Sequence, residues 1–214
     1  MWLYQKKLQY PVYIKKKDLA FAKQLVTQYG GFAGELGAAL RYLNHRYTML
    51  DDRGKALLTD IGTEELAHVE ILSSMLYQLM KDATVEELKE AGLASHYAEH
   101  RKGLYPVDAR GVPFTVAYFA GTGDVLADLS EDMAAEEKAR AVYESLIDLT
   151  NDPDIIGPLL WLRQREIVQI KKLSKIVFCF YLSFIFLVGY FPRVFIFSDI
   201  LVLPSRNPLI DSLS

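Results

Sequence analysis

Glu65 is followed three residues later by His68, and 101 residues further on the acid recurs as Glu166. At the second site Gln169 stands where a second histidine is expected. Each pair has an upstream acid at one common spacing: Glu35 lies 30 residues before Glu65, and Glu136 lies 30 before Glu166. Four carboxylates and one imidazole therefore fall into two matching halves. One Glu and one Glu-x-x-His from each of two helix pairs is the outline of a carboxylate-bridged, two-metal site inside a four-helix bundle. The chemistry demands ions, because four acids facing one apolar core repel one another and would otherwise have to take up protons. An oxygen-rich donor set with one imidazole per ion suits manganese or iron better than zinc or copper.

Such a site needs four helices that turn these residues inward. Asp18 is a candidate N-cap for a long first helix, expected to run to about Met49 and to carry Glu35, with Gly30-Gly31 as a weak point. Asp51-Asp52 opens a second, on which Leu57, Ile61, Glu65, His68, Leu72, Met75 and Leu79 step by three and four residues. Thr84 and Glu87 read as a capping box for a short connecting helix ended by Gly92. An irregular crossover punctuated by Pro106, Gly111, Pro113, Gly121 and Gly123 follows.

Asp124 starts the third principal helix, with Leu129, Met133, Glu136, Arg140, Tyr143 and Ile147 as its inward line. Asp152-Pro153 starts the fourth, although Gly157-Pro158 is expected to delay it. Its buried line is Leu159, Leu162, Glu166, Gln169 and Leu173. Tyr42 and Tyr143 each lie seven residues after an upstream acid on the same face, placed to hydrogen-bond a ligating carboxylate. His45, His96 and His100 fall off these stripes and offer no obvious replacement for the missing imidazole.

A chain of 214 residues, 51% hydrophobic and 24% charged, suffices for one domain with a substantial core. A net charge of −3 with only Lys15-Lys16-Lys17 as a basic run argues against a nucleic-acid partner. One cysteine, Cys179, excludes an internal disulfide and suits a reducing, cytoplasmic setting. The opening Met1-Trp2-Leu3-Tyr4-Gln5-Lys6-Lys7 lacks the apolar stretch of a secretory signal. The organisation expected is an arm over 1–17, a bundle over 18–172 and a hydrophobic tail over 173–214.

The segments Gly62-Thr63-Glu64-Glu65-Leu66-Ala67-His68-Val69-Glu70, Ala134-Ala135-Glu136-Glu137-Lys138-Ala139-Arg140 and Arg165-Glu166-Ile167-Val168 resemble the manganese catalases. The opening through Val12 is similar, more narrowly, to a spore-coat branch of that family. The resemblance covers about residues 1–168. It implies an all-α, ferritin-like four-helix bundle with a long crossover, two manganese ions per subunit, and disproportionation of hydrogen peroxide to water and oxygen. It also implies a homo-oligomer among other spore coat proteins. By position, Glu35 and His68 would hold one manganese and Glu136 the other, Glu65 would bridge them, and Glu166 would be the catalytic proton acceptor.

Gln169 departs from that pattern, since it offers only a neutral amide oxygen where the family has a histidine nitrogen. Composition changes at the same point. Five of the 51 charged residues, but seven of the eleven Phe, lie in residues 173–214. A reading-frame shift near codon 169 would produce both changes together. Residues 176–192 are uncharged, at the lower limit of length for a membrane span, so a tail anchor is the rival reading. At the level of function the expectation is an impaired manganese catalase, against a structural coat component without turnover or a ferritin-like di-iron oxidase.

Overall fold

The computed structural model describes residues 7–93, 97 and 103–187, with the side chains of 183–187 excepted. His96 and His100 lie outside the described residues, as does the part of the 176–192 stretch beyond Leu187. Among the described residues the architecture is helical, with one isolated bridge between Val107 and Pro113 in place of any strand.

The first principal helix forms in two pieces. Helix α1, Leu19–Gly30, is capped by Asp18, whose side chain accepts from the Phe21 N–H at 2.9 Å. Helix α2, Glu35–His45, begins after an extended Gly34. The unbroken helix expected to about Met49 is thus corrected. At the end of α1 a Cβ on Gly30 would lie 2.3 Å from the carbonyl carbon of Pro106, so the crossover can pass there only over a glycine. The break also places Glu35 in the first turn of α2, where unpaired backbone N–H groups favour a carboxylate.

A short 3-10 turn, Arg46–Thr48, leads to Asp51, which caps α3, Asp52–Leu79. Helix α4, Val85–Glu90, carries the expected capping box of Thr84 and Glu87, and Gly92 follows with φ +67°. The crossover includes a 3-10 turn at Val116–Phe119. Asp124 then accepts from the Leu126 and Ala127 N–H groups and starts α5, Val125–Asp148.

Helix α6, Pro153–Leu187, begins at its first proline, and Pro158 sits inside it without delaying the start. A proline this near the N-terminus removes at most one helical hydrogen bond, so the helix absorbs it. The helix also continues through Gln169 with Leu173 buried and Ile176, Val177 and Phe180 packed on the core. The described residues through Tyr181 form one compact unit. No helix among the described residues is long and apolar enough to cross a membrane.

Two apolar clusters build the core of that unit. One holds Ile71, Leu72, Met75, Tyr143, Leu159 and Leu162 with the N-terminal arm's Val12 and Ile14. The other holds Ala38, Tyr42, Leu58, Ile61, Leu129 and Leu173. On α3, Glu65 and His68 fall between the two; on α6, Glu166 and Gln169 do; on α5, Asp132 and Glu136 do. The chemistry-bearing residues therefore form a polar layer between apolar clusters.

Candidate metal centre

Glu35 from α2, Glu65 and His68 from α3 and Glu166 from α6 each offer one donor atom, and these atoms all lie within 4.8 Å of one another. His68 Nδ1 stands 3.0 Å from Glu65 Oε2 and 3.6 Å from both Glu35 Oε2 and Glu166 Oε1. Glu136 of α5 and Gln169 of α6 belong to the same buried layer, and no side chain of the six is more than 1% exposed. The spacing argument thus brought together residues up to 131 positions apart in sequence, from Glu35 to Glu166.

Packing this many acids together sets their proton affinities against one another. Burial and the charges of Glu35, Glu136 and Glu65 push Glu166 well above the usual carboxylate range. Burial does the same to Glu65, against the pull of His68, and it lifts Glu136 to about 7. Glu35 goes the other way: burial raises it, but hydrogen bonds from Glu65, His68 and Tyr143 together hold it below its ordinary value. His68 is raised well above an ordinary imidazole, since the surrounding carboxylates outweigh the cost of burying its charge.

An outer ring supports this layer. Tyr143 donates to Glu35. The phenol expected to support a ligating carboxylate does so at Tyr143, and its partner lies on α2 rather than on its own helix. Tyr42 lies beside Glu136 and Asp132, whose charges add to burial in raising its pKa well above 10, and its hydroxyl donates weakly to the Asp132 carbonyl at 3.4 Å. Glu64 faces His68 Nε2 at 3.7 Å and pairs with Arg165 of α6. Burial opposes ionisation of Glu64, yet the nearby His68 and the bond from Arg165 lower its pKa to about 2. Trp161 sets its ring edge-on to His68, 5.7 Å between centroids.

Two features escaped the sequence. His45 is buried with Nδ1 2.8 Å from Asp132 Oδ1, although its spacing had placed it off the inward stripe. Arg41, also buried, donates to the carbonyls of Tyr118 and Phe119 and so pins the crossover to α2. Asp132, one turn before Glu136, carried a signal of sorts as a further acid on that stripe. Arg140, expected on the inward line of α5, instead bonds Glu137 and Glu144 toward the surface.

The donor set fits a pair of oxygen-preferring divalent cations. Glu35 Oε2, Glu65 Oε1, both oxygens of Glu136 and Glu166 Oε1 are buried with no hydrogen-bond partner among the described residues. Both amide atoms of Gln169 share that condition. Buried polar atoms are normally paired, and so many orphans in one buried layer, around the converging Glu35, Glu65, His68 and Glu166, are what cations would satisfy.

Comparison with known proteins agrees. A family model described as manganese containing catalase matches residues 1–193, a range that runs past Val168 along α6. Protein CotJC of Bacillus subtilis (strain 168) is 55% identical over 177 residues, covering 83% of this chain and 93% of that protein. The probable manganese catalase of Clostridium acetobutylicum is 35% identical over 158 residues, 72% of this chain and 69% of that protein. The solved structure of KatB, a manganese catalase from Anabaena, superposes with a TM-score of 0.76 at 28% identity, covering 97% of this chain and 94% of the other. The Clostridium relative and KatB carry manganese in their names, the fold is the ferritin-like bundle, and the chain belongs to the manganese catalase family.

Proposed function

We propose that this chain disproportionates hydrogen peroxide to water and oxygen at a dinuclear manganese centre, as a homo-oligomer in the bacterial spore coat, with turnover reduced by Gln169. The observation that carries the reading is the convergence of Glu35, Glu65, His68 and Glu166 within 4.8 Å in a sealed layer with Glu136 and Gln169. Similarity to CotJC supports the coat setting.

In this reading Glu35 and His68 would hold one ion, Glu136 and the amide oxygen of Gln169 would hold the other, and Glu65 would be shared between them. When bound, two manganese ions that each change by one unit supply the two electrons that each half of the reaction moves, without release of a radical. The rest of the task is proton handling. Oxidation of one peroxide to O2 frees two protons and two electrons, and reduction of a second peroxide to two waters consumes them. Glu166, buried beside the other acids, takes up a proton in the first half and returns it in the second. Tyr143 holds the Glu35 carboxylate in place through both halves.

A second reading, a coat assembly component without turnover, is favoured by one feature: Gln169 offers a neutral oxygen where an imidazole would bind more strongly. A di-iron oxidase shares the donor set but not the family. Metal analysis of the purified full chain, with oxygen evolution followed after peroxide addition, separates the three. Manganese with one O2 released per two peroxides consumed is the expected result. Manganese without O2 release leaves the assembly role, and iron with O2 consumption points to an oxidase.

A further inference from the structure

His68 presents two different faces. Its Nδ1 looks at the carboxylates of Glu35, Glu65 and Glu166. Its Nε2 is buried and has no hydrogen-bond partner among the described residues. The acid facing that nitrogen is Glu64, one helical turn earlier on α3, with Oε1 at 3.7 Å. A metal on the Nδ1 side leaves the proton on Nε2, and a buried N–H without an acceptor is costly. Glu64 is well placed to accept it: it is 12% exposed at its side chain and anchored by Arg165 from α6, with Lys172 Nζ at 3.9 Å.

The 101-residue offset that relates Glu65 to Glu166 also relates Glu64 to Arg165 and His68 to Gln169. The two outer positions meet each other as an ion pair linking the two motif-bearing helices. Only the first half therefore has an acid four residues before its nitrogen ligand. In the second half that place is taken by a guanidinium, which can donate but never accept.

We propose that Glu64, held by Arg165, is a positioning residue for His68: it accepts the Nε2–H and so commits Nδ1 to the metal, an arrangement the second half of the molecule lacks. The inference rests on the metal-centre reading above. A ligating histidine whose far nitrogen is held by a carboxylate is oriented and made more basic, and losing such a partner typically costs about tenfold to hundredfold in metal affinity.

The test uses the full chain and three variants: Glu64→Ala, Glu64→Gln and Arg165→Ala. Manganese affinity is measured by titration against a competing chelator, and the His68 Nε2 proton is followed by nitrogen-15 NMR in metal-free protein. Glu64→Ala should lose about tenfold to hundredfold in affinity and lose the hydrogen-bonded Nε2 proton signal, while Glu64→Gln, which keeps an acceptor oxygen, recovers part of both. Arg165→Ala breaks the same ion pair but leaves the acceptor, so its loss should be smaller. Equal losses in Glu64→Ala and Arg165→Ala would assign the effect to helix linkage and overturn the proposal, as would an unchanged Nε2 signal in Glu64→Ala. Failure of the unaltered chain to take up manganese would sink the metal-centre reading instead, and the NMR comparison would still decide whether Glu64 holds His68.

Discussion

Gln169 and His68 occupy equivalent places in the two halves, yet their surroundings differ in more than the side chain. His68 has Trp161 against its ring and Glu64 behind it, whereas both amide atoms of Gln169 are orphaned. His68→Gln should therefore cost more manganese affinity than Gln169→His restores. Stepwise manganese titration of both variants checks this, and equal and opposite changes would show the two halves to be interchangeable. Proton affinities give a second expectation. Unfolded, the acids titrate near 4.5; folded and metal-free, Glu136 is held at about 7, with Glu65 and Glu166 well above 4.5. A raised pKa gives stability that is fully present below the unfolded value and lost as pH rises through the folded one. His68, raised above 6.5, has the same sign, and Glu35, lowered, matters only in acid below 4.5. The metal-free protein should thus melt lower at pH 8 than at pH 5. Manganese should offset that fall, because it binds the deprotonated acids. A metal-free melting temperature that rises over this interval would contradict the buried-acid geometry.

At the scale of elements, the stripes of α3 and α6 were legible because an acid or amide replacing an aliphatic residue at helical spacing leaves the period intact. Capping residues were equally plain at Asp51, Thr84 and Asp124, where the side chain's own chemistry fixes the helix start. What local pattern could not reveal was the effect of distant chain. Gly30 and Gly31 read as a weak point, but local sequence gave no sign that the crossover backbone at Pro106, 76 positions away, presses on Gly30. Nor did it show that Tyr143 reaches Glu35 across the bundle. Gly30→Ala should push the crossover off α1 and destabilise the fold by about 1–3 kcal/mol, the usual range for overpacking. Chemical denaturation measures it, and a neutral result would mean that the crossover is free to move. Leu173 is fully buried as its place on the inward line of the fourth helix implied, but composition suggested that the bundle ends at about residue 172, and Ile176, Val177 and Phe180 nevertheless pack on the same cluster. Leu173→Ala should accordingly cost about 2–5 kcal/mol.

For the whole molecule, the family match to residue 193 and the packing of α6 through Phe180 bear on the idea of a shifted reading frame near codon 169. Apolar residues at Leu173, Ile176, Val177 and Phe180 keep the three-and-four spacing that a bundle helix needs, so a repair should spare them. The prediction is a contrast between two repairs, each carrying Gln169→His. Replacing residues 182–214 with a charged amphipathic segment removes a Phe-rich stretch that favours aggregation while keeping the core residues Leu173, Ile176, Val177 and Phe180 of α6. It should raise soluble yield and oxygen evolution above those of Gln169→His alone. Replacing residues 170–214 with a segment that does not restore apolar residues at those four positions should instead lower the melting temperature, because the cluster around Leu58, Ile61 and Leu129 loses its α6 face. Soluble yield, melting temperature and oxygen release in the three proteins decide the matter. If the longer replacement proved as stable as the shorter, α6 beyond Gln169 would contribute nothing to the bundle, and the abrupt change of composition would mark the true end of the fold.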